Sequence, residues 1–319
     1  MAEATLRSAP DTVVITPDAP ISAGQVIQLK DGRAAFAPND ISSGVAGIVR
    51  VTGSVILTKT AGVVILNGGD VFWDHSANAA TYKAVDDRDF LCGVAISDQD
   101  SASTIVEVAL NVEGVYLIDL ARDAYRSVPI GTQALNGLGI RRNGGCLNFN
   151  ISSTSEAQKL DALSVAGFAT GANAIVEIVF AVPNDGAGTV VDVSLGVANG
   201  TDATNADTIG ESVFVHLNAN DVNIYLESDD GTTEVAATDS TIDYTEGSAT
   251  AQLIHVWFDF RNPADVQIYI NGALMLGATV FNINAAVGPW KLLAHIEKTI
   301  AADVYELDLH RQRVRIAEQ

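Results

Sequence analysis

Apolar residues in this chain recur at every second position in short runs, and each run stops within a few residues at Gly, Asn or Asp. "DTVVIT", "GQVIQL", "GIVRVTGSVILTK", "GVVIL" and "STIVEVAL" carry the pattern through the first third. Period-two alternation of β-branched residues puts successive side chains on opposite faces of a strand, and the breakers are turn formers. Almost no stretch sustains an apolar period of 3.6, so the pattern predicts an all-β protein. From Cys146 onward the runs lengthen: "CLNFNIS", "AIVEIVFAV", "TVVDVSLGVA", "SVFVHLN", "DVNIYLES", "QLIHVWFDF", "DVQIYING", "WKLLAHI" and "VYELDLHRQRVRI". Their spacing predicts two antiparallel sheets packed as a β-sandwich, or jelly roll.

The shorter strands up to about Glu113 predict a small β-barrel-like unit that hides its edges. Between the two, "GVYLIDLARDAYRSVPIGTQALNGLGIRRNGG" mixes charge, Pro and Gly and reads as a connection. The expected organisation is a first unit at 1–115 that includes an N-terminal arm, a linker at 116–140 and a sandwich at 141–319. Two helical interruptions are expected. One is a turn or two in "LIDLARDAYRS"; the other is "SSTSEAQKLDAL", where Ser153 and Glu156 have capping-box spacing.

Charge narrows the partners. The 319 residues hold 39 acids against 18 Lys plus Arg, a formal net charge of -21. Between Leu160 and Trp290 there are 17 Asp and Glu and one basic residue, Arg261. Such a field repels nucleic-acid phosphates and anionic membranes, so neither is expected as a partner. Basic residues cluster at Arg122, Arg126, Arg141 and Arg142, and again at Arg311, Arg313 and Arg315. Solvated charge near domain edges is the plainer reading of both groups. The two cysteines, Cys92 and Cys146, give no disulfide framework, and a reducing cytoplasm is the expected site of synthesis. The opening "MAEATLRSAPDTVVITPDAP" shows no leader pattern, and no apolar run reaches spanning length.

Four stretches hold candidate chemistry. "NGGDVFWDHSANAATYKAVDD" (67–87) gathers Asp70, Asp74, His75 and Trp73, yet two turn signals flank an alternating run, so a hairpin explains every residue. In "VYELDLHRQ", Glu306, Asp308 and His310 fall on one strand face, which resembles the "ExDxxE" of jelly-roll glycosidases with the last acid replaced by His310. One of the two catalytic carboxylates is then missing, and a polar outer face is the commoner explanation. The loops "NGTDATNAD" (199–207) and "SDDGTTE" (228–234) concentrate oxygen ligands for calcium without the spacing of an EF-hand. His216, His255 and His295 sit in strand patterns with no Cys or second His at metal-ligand spacing. No cofactor, metal or catalytic residue is expected.

Residues 10–112 carry a further ordered pattern: "ISAGQVIQLK", an apolar segment ending at Lys59, "GGDVFWD" at 68–74 and "LCGVAISDQDSASTIVEVAL". This order resembles the head-decoration, or capsid-cement, family of tailed bacteriophages. The resemblance implies a β-barrel-like module on the outer surface of the capsid, bound to the major capsid protein, usually as a homotrimer, that stabilises the mature head. It carries no catalytic residues. "LIHVWFDFRNPADVQIYINGALM" (253–275) resembles concanavalin-like and laminin-G-like jelly rolls, through a tight hairpin turn at Asn271 and Gly272. The leading expectation is a virion structural protein, not an enzyme, with an outward-displayed sandwich. The alternatives are a carbohydrate-binding module for cell-surface glycans, with Trp290 or Tyr225 as platform, and a glycoside hydrolase using Glu306 and Asp308. Pro10, Pro17 and Pro20 flank "DTVVIT", so Leu6, Thr12, Val13, Val14 and Ile15 are expected to form an arm that contacts the capsid or adds a strand to a neighbouring subunit.

Overall fold

The computed structural model describes residues 11–122, 125–126, 130–131, 134–141, 144–188, 190–201, 205–247, 251–299 and 303–316. It divides into two compact units, Met1–Val115 and Tyr116–Gln319. The described regular elements are strands, apart from one 3₁₀ turn at Ala206–Thr208, so the all-β expectation holds.

In the first unit the frequent turn residues cut the chain into nine short strands. These are β1 (Thr12–Ile15), β2 (Val26–Gln28), β3 (Ala34–Phe36), β4 (Gly47–Arg50), β5 (Ser54–Thr58), β6 (Asp70–Asp74), β7 (Ala79–Thr81), β8 (Phe90–Ala95) and β9 (Ile105–Leu110). They form a four-stranded sheet, β1-β4-β3-β2, and a five-stranded sheet, β5-β9-β8-β6-β7. The first sheet sits over a core of Ile21, Ala35, Ala37, Ile41, Val49 and Val51. In β9, Val106, Val108 and Leu110 are buried while Ile105, Glu107 and Ala109 face out, as the alternation requires.

Asn111 clamps the two sheets together. It sits at φ 54°, a left-handed conformation that Asn tolerates, immediately after β9. Its side chain accepts from the Ala34 N–H (2.9 Å) and donates to the carbonyls of Ala34 (2.9 Å) and Val51 (2.7 Å). One amide thus satisfies three backbone groups of the opposite sheet. Lys59 does similar work on a turn: its buried Nζ donates to the carbonyls of Val63 (2.6 Å) and Thr60 (3.2 Å).

The second unit contains β10 (Ile118–Asp119), β11 (Tyr125–Arg126), β12 (Ala134–Arg141), β13 (Gly144–Ile151), β14 (Gln158–Ser164), β15 (Ala174–Asn184), β16 (Val191–Ala198) and β17 (Ser212–Asn218). It continues with β18 (Asp221–Asp229), β19 (Glu234–Asp243), β20 (Ile254–Asp259), β21 (Gln267–Ile270), β22 (Ala273–Leu274), β23 (Lys291–Lys298) and β24 (Tyr305–Ile316). One sheet runs β12-β13-β24-β15-β20-β21-β22 with β10 also on β24, and the other runs β11-β14-β23-β16-β17-β18-β19. Their inner faces share one core, from Phe149, Phe180 and Leu307 to Val193, Val215 and Ile296. Gln312 is buried in this core, and its Nε2 donates to the carbonyls of Gly196 (2.7 Å) and Leu293 (2.8 Å) on the facing sheet.

Three expectations are corrected. The segment expected to be a linker at 116–140 supplies β10, β11 and β12 to the sheets of the second unit. The turns of helix expected in "LIDLARDAYRS" are replaced by β10 and β11, which pair with β24 and β14. The helix expected after Ser153 is replaced by β14, paired along six residues with β23 and buried on both faces. Burial on both faces is the physical reason: the polar positions Gln158, Lys159 and Asp161 imitate the exposed side of an amphipathic helix but lie against protein.

Asn111→Ala is expected to lower the stability of the first unit by about 2–4 kcal/mol, because three backbone groups lose their partner at once. Urea unfolding followed by a probe in this unit measures it, and an unchanged midpoint would show the clamp to be dispensable.

Candidate functional site

The stretch 67–87 is a hairpin. Phe72, Trp73 and Asp74 pair with Thr81, Ala80 and Ala79. Asp74 is an acceptor that closes the turn, taking bonds from Ser76 Oγ (2.7 Å) and the Ala77 N–H (2.8 Å), which hold its carboxyl below the usual aspartate value. Asp89 takes the N–H groups of His75, Val85 and Asp86, and Arg88 reaches the His75 ring. Asp74, Asp86 and Asp89 all serve turn geometry.

The first unit instead presents an apolar surface around β1. Thr12–Ile15 form β1 and pair with Arg50–Gly47 of the same chain, which leaves the other edge of β1 without a neighbouring strand of its sheet; Leu6 lies outside the described residues. Val13 and Ile15 pack toward the small core, and this fixes the register. The opposite face of β1 carries Val14, 53% exposed, directly across from Ile48, also 53% exposed. β1 is an outermost strand of its sheet. Beside it, Val13, Ile15, Pro17, Pro20, Ile27 and Leu29 line a groove of ≈ 600 Å³. An edge strand with apolar residues on both sides is a surface built for contact.

The second unit gathers its chemistry on the outer faces of its sheets. Ser194, His216 and Tyr225 lie in register across β16, β17 and β18. His216 is buried, with Nε2 3.3 Å from Asp192 Oδ1 and Nδ1 3.4 Å from both Asp207 Oδ1 and Glu227 Oε2. Asp207 arrives from the 3₁₀ turn, which Asn205 caps through the Asp207 N–H at 2.8 Å. Ala206 and Ile209 of that turn pack on Leu163, Phe214 and Leu293 and hold it against the sheet. Burial pulls the imidazole down, but its bonds to Asp207 and Glu227 and the charges of Asp192 and Glu227 win and raise it to about 11. Burial likewise pushes Asp192 up to about 6. The result is an imidazolium caged by three carboxylates, beside a cleft of ≈ 310 Å³ lined by Asp207, Glu227 and Glu234.

Arg311, Arg313 and Arg315 are not solvated edge charge. All three converge on buried Glu177, at 3.5, 2.8 and 3.8 Å, and Arg313 lies 3.6 Å over the Tyr116 ring. Burial raises the Glu177 carboxyl, but the charges of Arg313, Arg311 and Arg315 outweigh it and hold the group below its ordinary value. Glu306 and Asp308 share one face as expected, and the Asn148 amide donates to both, at 2.9 and 2.6 Å. Trp290 is fully buried, with Nε1 donating to Thr170 Oγ1 at 2.8 Å, so it is no glycan platform. Tyr225 is half-buried and donates to Asp221 (2.9 Å). In the 228–234 loop, Asp229 and Asp230 accept from the backbone of Gly231, Thr232, Thr233 and Ala285.

Residues 7–112 match the phage cement protein family, one of capsid-associated structural proteins. No curated protein matches the chain. Solved structures similar to the chain include the carbohydrate recognition domain of Emp47p (10% identity, 63% of this chain and 94% of that one, TM-score 0.44). Another is lectin UEA-II complexed with galactose (12%, 62% and 96%, 0.40), and a third is a carbohydrate esterase from Shiga toxin-encoding bacteriophage phi24B (11%, 62% and 93%, 0.39).

Because the folded-state value of His216 is raised above the ordinary 6.5, the stability it contributes is complete below about pH 6.5 and is lost as pH rises toward about 11. His216→Gln is expected to cost about 3–5 kcal/mol near pH 6, since it strands buried carboxylates. The gap to wild type should narrow steadily in alkali. Urea midpoints of both proteins across the range measure it, and a gap that stays constant would contradict the imidazolium cage.

Proposed function

We propose that the protein is a head decoration protein: its first unit binds the major capsid protein on the outer surface of a phage head and stabilises the mature shell, and its second unit is displayed outward. The observation that carries this reading is the cement-family match over residues 7–112, a segment that coincides with the unit bearing the Val14–Ile48 apolar face. Capsid contact needs apolar area on a preformed edge, and β1 with its groove supplies it. The net charge of -21 agrees with a position outside the shell, away from packaged DNA. Association as a homotrimer forms part of this proposal, with the same edge shared between capsid and neighbouring copies.

The carbohydrate-binding alternative keeps only Tyr225 of its two aromatic candidates, and that phenol is engaged by Asp221. Hydrolysis by Glu306 and Asp308 is disfavoured by the amide that ties the two carboxylates together.

The test mixes the full chain with expanded heads that lack it, and assays pelleting and heat resistance. Wild type is expected to pellet with heads and raise their melting temperature. The double variant Val14→Asp, Ile48→Asp should remain folded and bind about 30-fold or more weakly, the loss expected for one interfacial anchor of about 2 kcal/mol. Undiminished binding by the variant would reject this face, and failure of wild type to bind would reject the proposal.

A further inference from the structure

Cys146 and His310 are separated by 164 positions in sequence and brought together by the β13–β24 ladder. Leu147 pairs with Leu309, and the next step of this antiparallel register sets Cys146 opposite His310. Asp308 is the diagonal neighbour, paired with Asn148. Leu147, Phe149, Leu307 and Leu309 point into the core, so Cys146, Asn148, Asp308 and His310 share the other face. One ligand atom from each of Cys146, Asp308 and His310 lies within 4.8 Å of the others. Cys146 is 2% exposed and Asp308 3% exposed, while His310 is half-buried.

We infer that Cys146, Asp308 and His310 form a zinc site that staples β13 to β24. Thiolate, imidazole and carboxylate from adjacent strands are the ligand types a tetrahedral Zn²⁺ takes, with bonds of about 2.0–2.3 Å that set ligand atoms about 3.3–3.8 Å apart. Rotamer adjustment of the three side chains closes the remaining distance. A sulfur ligand and a largely buried site disfavour Ca²⁺ and Mg²⁺, which prefer oxygen and retain water. Binding replaces the thiol proton with the metal, and half-buried His310 leaves the fourth position facing outward. Asn148 is a positioning residue: its amide bond to Asp308 Oδ1 at 2.6 Å orients the carboxylate, and its second bond to Glu306 anchors the amide.

The cluster at His216 has a comparable spread of ligand atoms, Asp192, Asp207 and His216 lying within 4.8 Å of one another. There the imidazole already serves as counterion to three carboxylates, at 3.3 to 3.4 Å. It therefore supplies its own cation, whereas the Cys146 cluster joins a thiol to a single acid.

The test uses the purified full chain, stripped with a chelator and reloaded with Zn²⁺ or Co²⁺. One zinc per chain after dialysis, a rise in melting temperature reversed by chelator, and a thiolate-to-cobalt charge-transfer band in the near ultraviolet are expected. Cys146→Ser should abolish the band, His310→Gln should weaken binding about 100-fold, Asn148→Ala should weaken it about tenfold, and Cys92→Ser should leave the band intact. Absence of stoichiometric zinc, a cobalt complex without the thiolate band, or unchanged affinity in Cys146→Ser would overturn the site. Should a variant fail to fold, the wild-type cobalt spectrum and the Cys92→Ser control decide the question by themselves.

Discussion

The sandwich depends on a phase shift in its last strand. Along β24, Tyr305, Leu307 and Leu309 point into the core, and the next inward residues are Gln312 and Val314. The inward spacing jumps from two to three between Leu309 and Gln312. The ladder with β15 breaks at the same place, Val179 pairing with Arg311 and Phe180 with Leu309, so that His310 is the extra residue of a bulge. Without it, strict alternation from Leu309 would aim Arg311, Arg313 and Arg315 into the core. With it, the three guanidinium groups stay on the outer face around Glu177, His310 stays beside Asp308, and Gln312 crosses to the facing sheet. β24 lies between β13 and β15 and also holds β10, so both halves of its sheet take their register from this one irregularity.

The first unit solves a different problem. Its strands are three to six residues long, and its core under the four-stranded sheet consists of six small or β-branched side chains. Burial on this scale is modest, and specific polar ties supplement it. Asn111 joins the two sheets, Lys59 caps a turn, and Asp74 and Asp89 close the hairpin corners. Val14 and Ile48 are among the apolar residues that this unit leaves exposed, together with Ile56 and Ile105 on its other sheet. A four-stranded sheet over a small core with an apolar edge gains by docking, and it lies within residues 7–112, which match the phage cement protein family.

Much of this was legible in the alternation of residues. The long runs at 174–184, 191–198, 212–218, 254–259 and 305–316 are strands, "DVFWD" opens a hairpin, and Glu306, Asp308 and His310 do share a face. Elements with polar residues at buried positions were not. "QKLDALS" carries Lys159 and Asp161 into a fully buried strand, and its capping-box neighbour Glu156 completes the likeness to a helix. Trp290 reads as an exposed aromatic only because nothing local announces Thr170 or the Phe260 ring, 5.8 Å away. The site residues missed by spacing arguments are those assembled across strands: Asp207 reaches His216 through a turn, and Cys146 meets His310 across a ladder. Local spacing encodes faces, while register and turn packing decide which faces meet.

The central proposal is that the first unit contacts the capsid and the second is displayed. The most direct measurement is a cryo-electron-microscopy reconstruction of heads saturated with the full chain. Residues 11–115 are expected to lie against the major capsid protein with Val14 and Ile48 at the contact, and the sandwich to project into solvent. A reconstruction in which the sandwich contacts the shell and the first unit projects outward would contradict it.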